Sequence, residues 1–358
     1  MVIEKIILNE NRNVALTAYL QDVGGEFPNI TKRPAILILP GGGYRMCSDR
    51  EAEPVAMTYL HAGFQAFVLR YSVQEHATWP NPLEDYEQAM VLIRSKADEW
   101  NLYPDKVAVI GFSAGGHLAA AGATMAENRP NAAILGYPVT EGPSARSCEP
   151  SAPDVVSAVD QKTCPCFVFA TRTDPLVPIS NSLNFVAALA MHDISFESHI
   201  YAYGPHGFSV GNSSVLKPGT EICSRAASWV NDSVAWLKDI LGDFDDGAMT
   251  ESKCKRCVND DYEDYLSVDC TVEHLMTNSQ AIAVLAPLMN AVHNEMANKY
   301  ADKVPNGIAA GAGSNLGLGA KMTLRSALSM ANAPAQMVEQ LNTALRKIPN
   351  NTEQEVSQ

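Results

Sequence analysis

The 358-residue chain lacks any stretch approaching the roughly 20 apolar residues that a bilayer-spanning helix needs. A leader pattern is also missing. Met1-Val2-Ile3-Glu4-Lys5-Ile6-Ile7-Leu8 has no apolar segment of signal-peptide length and no small-residue cleavage site, and it reads as a first strand. Together these absences lead to the expectation of a cytoplasmic protein. Positive charge is short as well: 26 Lys and Arg stand against 40 Asp and Glu, a formal net charge of −14. An acidic surface of this kind repels nucleic acid and anionic membranes, so neither is expected as a partner. The eight cysteines form no small-scaffold framework, and in a large chain without a leader free thiols are the default. Cys164 and Cys166, either side of Pro165 at the mouth of an apolar strand, read as buried packing.

What the chain does contain is a rhythm. Residues 35–39, 66–70, 107–110, 132–135 and 166–170 are short, nearly continuous apolar runs, the pattern of parallel strands buried on both faces. Between them, roughly 50–62, 82–100, 115–127 and 180–192 carry helical spacing; residues 198–203 add a strand and 221–241 a closing helix. The alternation predicts an α/β fold with a mostly parallel, doubly wound sheet. After Leu241 the texture changes at the polar, glycine-bearing stretch 242–247. A catalytic domain over 1–243 and a small all-α module over 250–350 are expected. In the module, helices at 271–300 and 320–348 would be joined by the glycine-rich loop 306–315, with frayed residues after Asn350.

The chemistry is carried by loops that follow the strands. Gly111-Phe112-Ser113-Ala114-Gly115 comes directly after strand 107–110 and opens helix 115–127. G-x-S-x-G in that context places a serine on a tight strand-to-helix turn, where a neighbouring base can take its proton. Pro40-Gly41-Gly42-Gly43-Tyr44 follows strand 35–39, and its unshielded N–H groups could face a developing oxyanion together with that of Ala114. A phosphate loop is the competing reading of those glycines. It fails because neither G-x-G-x-x-G nor G-x-x-x-x-G-K-[ST] is present there.

Hydrolases built this way order their residues as Ser, then Asp or Glu, then His. Asp174 follows strand 166–170 and His206, flanked by Gly204 and Gly207, follows strand 198–203. Both sit at strand carboxyl ends, where α/β sheets gather functional groups. Asp193 is a weaker acid candidate because it falls in a polar turn. His199, inside a strand, and His117, on the helix past the serine, are weaker bases.

These residues resemble a known family. Pro40-Gly41-Gly42-Gly43-Tyr44, Gly111 to Ala119, Asp174-Pro175-Leu176-Val177-Pro178, His206-Gly207-Phe208, Arg70-Tyr71-Ser72 and Trp79 to Asp85 look like the α/β-hydrolase esterases related to hormone-sensitive lipase. Within that group they are most similar to the compact acetyl-xylan and feruloyl esterase-like enzymes. The resemblance spans about residues 30–240. It implies the α/β-hydrolase fold, a triad of Ser113, Asp174 and His206, and oxyanion donors at Gly42, Gly43 and Ala114. Pro40 stands where relatives commonly have histidine. That histidine serves loop structure, so the oxyanion hole is expected to survive. Tyr44 could border the acyl pocket or pack against the sheet edge. The C-terminal part is faintly similar, over Thr271 to Leu285 and Met322 to Leu328, to helical segments appended to bacterial carbohydrate-active enzymes.

Cys254, Cys257, Cys270 and His274 have the spacing C-x₂-C-x₁₂-C-x₃-H, compatible with structural zinc, against free thiols or a local disulfide. The expectation that follows is a serine carboxylesterase that needs no metal or organic cofactor and deacetylates short plant-derived xylo-oligosaccharides. The alternatives are a feruloyl esterase, peptidase or formamidase using the same triad, or a vestigial hydrolase acting as a scaffold. A homo-oligomer is left open.

Overall fold

Apolar runs with no exposed face can form strands only in the middle of a covered sheet, and that is where the sequence puts them. The computed structural model describes residues 1–288 and 320–350, and the chain divides into two compact units, Met1–Arg256 and Cys257–Gln358. The first holds eight strands: β1 (Val2–Asn9), β2 (Val14–Leu20), β3 (Arg33–Leu39), β4 (Gln65–Arg70), β5 (Leu102–Phe112), β6 (Ala132–Gly136), β7 (Cys166–Thr171) and β8 (Phe196–Tyr201). They lie in the order β1-β2-β4-β3-β5-β6-β7-β8. β2 runs antiparallel to β1 and β4, and the other pairs are parallel. Every residue of β3, β6 and β7 is buried. β8 alternates because it is an edge strand. This is the α/β-hydrolase arrangement.

The helices of this unit are α1 (Glu53–His61), α2 (Asn81–Ser95), α3 (Ala114–Thr124), α4 (Gly142–Cys148), α5 (Ser180–Met191) and α6 (Trp229–Leu241). In the second unit the expected helix 271–300 breaks at 276–278, and the expected helix 320–348 is two helices, Leu324–Met330 and Ala335–Leu345. In the first unit three elements differ from the sequence reading. β2 and α4 were not anticipated, and the closing helix starts at Trp229 after a 3-10 turn at Ala226–Ser228 instead of at 221. Cys164 and Cys166 are buried, as expected.

Strand order decides where a site can form. From β3 the chain steps to β4 on one side and to β5 on the other, so the loops leaving β3 and β5 part above two adjacent strands, with Leu39 beside Gly111. A crevice at the carboxyl ends of the strands results at such a switch point. Beneath it, Phe169 stacks on Trp229 of α6 at 4.2 Å and 9°, with Phe112 and Phe208 against them. Trp229 Nε1 donates to Ser209 O at 2.9 Å, which ties the core to the loop after β8.

Residues 244–256 remain with the first unit. The N–H groups of Lys253 and Cys254 donate to Asp239 O, and Ser195 Oγ donates to Lys255 O. The second unit has helices Val272–Leu275, 279–288, Leu324–Met330 and Ala335–Leu345 over a core that includes Leu266, Leu275, Leu285, Leu328 and Leu345. Thr271 and Thr323 each cap a helix by accepting the N–H three residues on, and their backbones form an antiparallel bridge. The expected loop 306–315 and the tail after Asn350 lie outside the described residues. Among the described residues no helix is long and apolar enough to cross a membrane.

Trp229→Phe keeps the aromatic stack and loses the bond to Ser209, so it should cost about 1 kcal/mol of stability. Trp229→Ala also opens a cavity and should cost about 3–5 kcal/mol. Urea unfolding midpoints check both values.

Candidate active site

Ser113 is the hinge between β5 and α3, with φ 53° and ψ −118°, a region a non-glycine residue enters at a cost of about 1–3 kcal/mol. Its backbone is held on both sides. Ser113 N–H donates to Gly136 O at 3.0 Å, and its carbonyl accepts from His117 N–H and Val139 N–H at 3.0 and 3.1 Å. The flanking glycines are required by space. A Cβ on Gly115 would lie almost on the carbonyl oxygens of Leu39 and Pro40, and one on Gly111 would strike the Gly115 carbonyl. Ser113 is 8% exposed.

The loops after β7 and β8 bring the other expected residues to it. His206 Nε2 lies 2.8 Å from Ser113 Oγ, and His206 Nδ1 lies 2.6 Å from Asp174 Oδ2. With the Nδ1 proton donated to a carboxylate, Nε2 offers its lone pair to the serine hydroxyl. Asp174 is held in turn: its Oδ1 accepts the N–H groups of Leu176 and Val177 at 2.8 and 3.0 Å, and its side chain is 3% exposed. Such a chain can draw the proton from a serine hydroxyl as the oxygen attacks a carbonyl.

The glycine loop meets Ser113 from β3. A Cβ on Gly41 would come to 3.0 Å from Ser113 Cβ. Gly42 and Gly43 take φ 133° and 63°, open to glycine and strained for other residues. No acceptor among the described residues engages the N–H of Gly42, Gly43 or Ala114, so these are the donors left for an oxyanion. Pro40 leads into the glycine loop, and its carbonyl accepts the Tyr71 hydroxyl at 2.6 Å.

Two residues here were not singled out from the sequence. Glu51, 2% exposed, accepts Gly41 N–H through Oε2 at 2.8 Å and the Tyr137 hydroxyl through Oε1 at 2.7 Å. Burial pushes its carboxyl up from the usual range, against the pull of those two bonds and of nearby His206 and Arg50. Tyr137 oxygen accepts Ser209 N–H at 3.0 Å, and its ring meets the His206 ring edge-on at 5.0 Å. A single sequence offers no signal for this pair, which lies 86 residues apart.

The lesser candidates are placed elsewhere. His117 is fully buried. Its Nε2–H donates to Pro153 O at 2.9 Å, so Nδ1 accepts the Tyr44 hydroxyl at 2.8 Å, and burial lowers its pKa to about 4. That pairing also settles Tyr44 as a packed side chain, buried against Tyr71 and Trp79. His199 stacks on Phe167 and bonds Glu197. Asp193 sits in the turn after α5 with φ 56°. Cys254 is exposed, Cys270 bonds Asp260 O, and His274 Nε2 bonds Asn350. Among the described residues no three His, Cys, Asp or Glu side chains gather as a metal site.

Residues 27–134 match the family model described as BD-FAE. Two curated proteins are similar. The endo-1,4-β-xylanase B of Butyrivibrio fibrisolvens is 33% identical over 211 residues, 51% of this chain and 33% of that protein. The acetylxylan esterase of Xylanibacter ruminicola is 32% identical over 229 residues, 58% of this chain and 47% of that one. The chain thus spans a third to about half the length of these relatives. A solved α/β-hydrolase enzyme from a Medee basin deep-sea metagenome library is 46% identical with a TM-score of 0.62. That match covers 67% of this chain and 98% of the other.

A histidine with a folded pKa near 4 and an ordinary unfolded value near 6.5 binds its proton more readily when unfolded. Its contribution to stability is therefore full above about pH 6.5 and lost as pH falls toward 4. His117→Gln keeps a donor and an acceptor without titrating. The wild type should lose roughly 2–3 kcal/mol more than this variant between pH 7 and pH 4.5 in urea unfolding. Equal losses would contradict the buried neutral imidazole.

Proposed function

The chain belongs to the α/β-hydrolase esterases, and on that premise we propose that it is a serine carboxylesterase that removes acetyl groups from xylan-derived oligosaccharides through an acyl-enzyme on Ser113. The observation that carries this reading is the unbroken chain from Asp174 through His206 to Ser113, beside the three unengaged N–H groups of Gly42, Gly43 and Ala114.

In this reading His206 takes the Ser113 proton as Oγ attacks the acetyl carbonyl. The carbonyl oxygen, now negative, rests on the N–H groups of Gly42, Gly43 and Ala114. Asp174 stabilises the imidazolium, which returns its proton to the sugar oxygen as the C–O bond breaks. Water then enters, gives a proton to His206 and attacks the acetyl-Ser113 carbonyl, and the collapse releases acetate and restores the serine. No step calls for a metal or an organic cofactor.

The acetyl and xylo-oligosaccharide part draws support from the acetylxylan esterase and xylanase among the relatives. The net charge of −14 favours a neutral sugar ester over nucleic acid or a lipid surface as partner.

Turnover of acetylated xylo-oligosaccharides, methyl ferulate and p-nitrophenyl acetate tests the reading. The acetylated sugars should be cleaved with a kcat/KM well above that for methyl ferulate, and Ser113→Ala should lower it by about 10⁴-fold or more. Cleavage of methyl ferulate alone would refute the acetyl assignment, and turnover that survives Ser113→Ala would refute the nucleophile.

A further inference from the structure

Outside the triad the first unit buries two carboxylates: Asp85, which takes Arg12 and the Ser72 N–H, and Glu51, which lies against the glycine loop and has no task in the mechanism. Glu51 ends the 3-10 turn Asp49–Glu51, which follows the glycine loop. Burying an acid is costly unless each oxygen finds a partner. Both do, and the two partners belong to different halves of the site. Oε2 takes Gly41 N–H, the first amide of the glycine triplet. Oε1 takes the Tyr137 hydroxyl, whose oxygen takes Ser209 N–H in the loop that carries His206. That second loop is close enough that a Cβ on Gly207 would sit 3.7 Å from Oε1.

A run of three glycines is the least ordered backbone a chain can offer, and holding it in one conformation costs about 1–2 kcal/mol per residue. Oxyanion donors act only if they already point at the place where charge will develop. The bond from Gly41 N–H to Glu51 occupies the first amide of the triplet and fixes the Pro40–Gly41 peptide next to Gly42 and Gly43. Through Tyr137 the same carboxylate holds the backbone three residues after His206.

We propose that Glu51 is a positioning residue that sets the oxyanion loop and the His206 loop in register with each other, so that donors and base reach Ser113 in one geometry. The role rests on the esterase reading above. It acts through Gly41 and Tyr137, and Glu51 itself does not touch the substrate. Because the donors strengthen as the oxyanion forms, losing the register costs transition-state binding and leaves ground-state binding alone.

Glu51→Gln keeps the shape but leaves one oxygen where two accepted bonds stood, and Tyr137→Phe cuts only the arm toward Ser209. The readouts are kcat and KM for p-nitrophenyl acetate, the inhibition constant of a trifluoromethyl ketone that adds to Ser113 as a tetrahedral hemiketal, and the urea midpoint. Glu51→Gln should lower kcat by about 10- to 100-fold with KM within about twofold, and weaken the ketone by a matching factor. Tyr137→Phe should show a smaller loss of the same kind, about three- to tenfold. Unchanged kcat and ketone affinity in Glu51→Gln, or a loss confined to KM, would overturn the role. Should Glu51→Gln not fold, Tyr137→Phe decides: a kcat loss at constant KM supports the role, and an unchanged kcat overturns it. A wild type without Ser113-dependent turnover would overturn the esterase reading and this inference with it. An active wild type matched by both variants would overturn the positioning role alone.

Discussion

The active site depends on one close approach. The first turn of α3 passes so near the end of β3 that the carbonyls of Leu39 and Pro40 occupy the space where Gly115 would otherwise carry a side chain. This contact sets Ser113 against the glycine loop, and neither position is free once the other is chosen. The strained φ of 53° at Ser113 is the local consequence: a chain that must turn from strand to helix within one residue leaves the ordinary regions. Three backbone hydrogen bonds at Ser113 and the surrounding sheet hold that strain in place.

The remaining geometry follows from strand order. β3 and β5 are neighbours, so the glycine loop and Ser113 arise side by side, while β7 and β8 send Asp174 and His206 in from one flank. The polar groups are then sorted by what they face. Asp174 and Glu51 have both oxygens bonded, one beneath the imidazole and the other beneath the glycine loop. His117, in the first turn of α3, is held between Tyr44 and Pro153 with its pKa lowered by burial, and both its ring nitrogens are engaged away from Ser113. Among the described residues the N–H groups of Gly42, Gly43 and Ala114 have no acceptor, so they are free to meet a developing negative charge.

Much of this was legible in the sequence because it is local. A buried parallel strand writes itself as an apolar run, and a polar group at a strand end comes directly after that run, so the meeting of Ser113, Asp174 and His206 could be read from order and context. The glycine pattern was legible for the same reason. β2 escaped notice because Val14–Leu20 has no flanking βα unit to announce it, and α4 because Gly142–Cys148 is short and begins with Gly-Pro. Glu51 and Tyr137 were invisible for a different cause: their meaning lies in a contact 86 residues long that only the folded sheet creates. The cysteine spacing near residue 254 left zinc open beside free thiols or a local disulfide. In the structure Cys254 and Cys270 are free thiols, and Cys270 and His274 bond protein oxygens.

The central claim is that Ser113 carries the acyl group between two half-reactions. Rapid mixing with p-nitrophenyl acetate, acid quench in the first turnovers and peptide mass spectrometry test it directly. The account predicts a burst of nitrophenol that matches the enzyme concentration, and an acetyl group on the peptide containing Ser113 that decays at the steady-state rate. Full turnover with no acetylated peptide at any quench time, or acetylation at another residue with Ser113 unmodified, would contradict it.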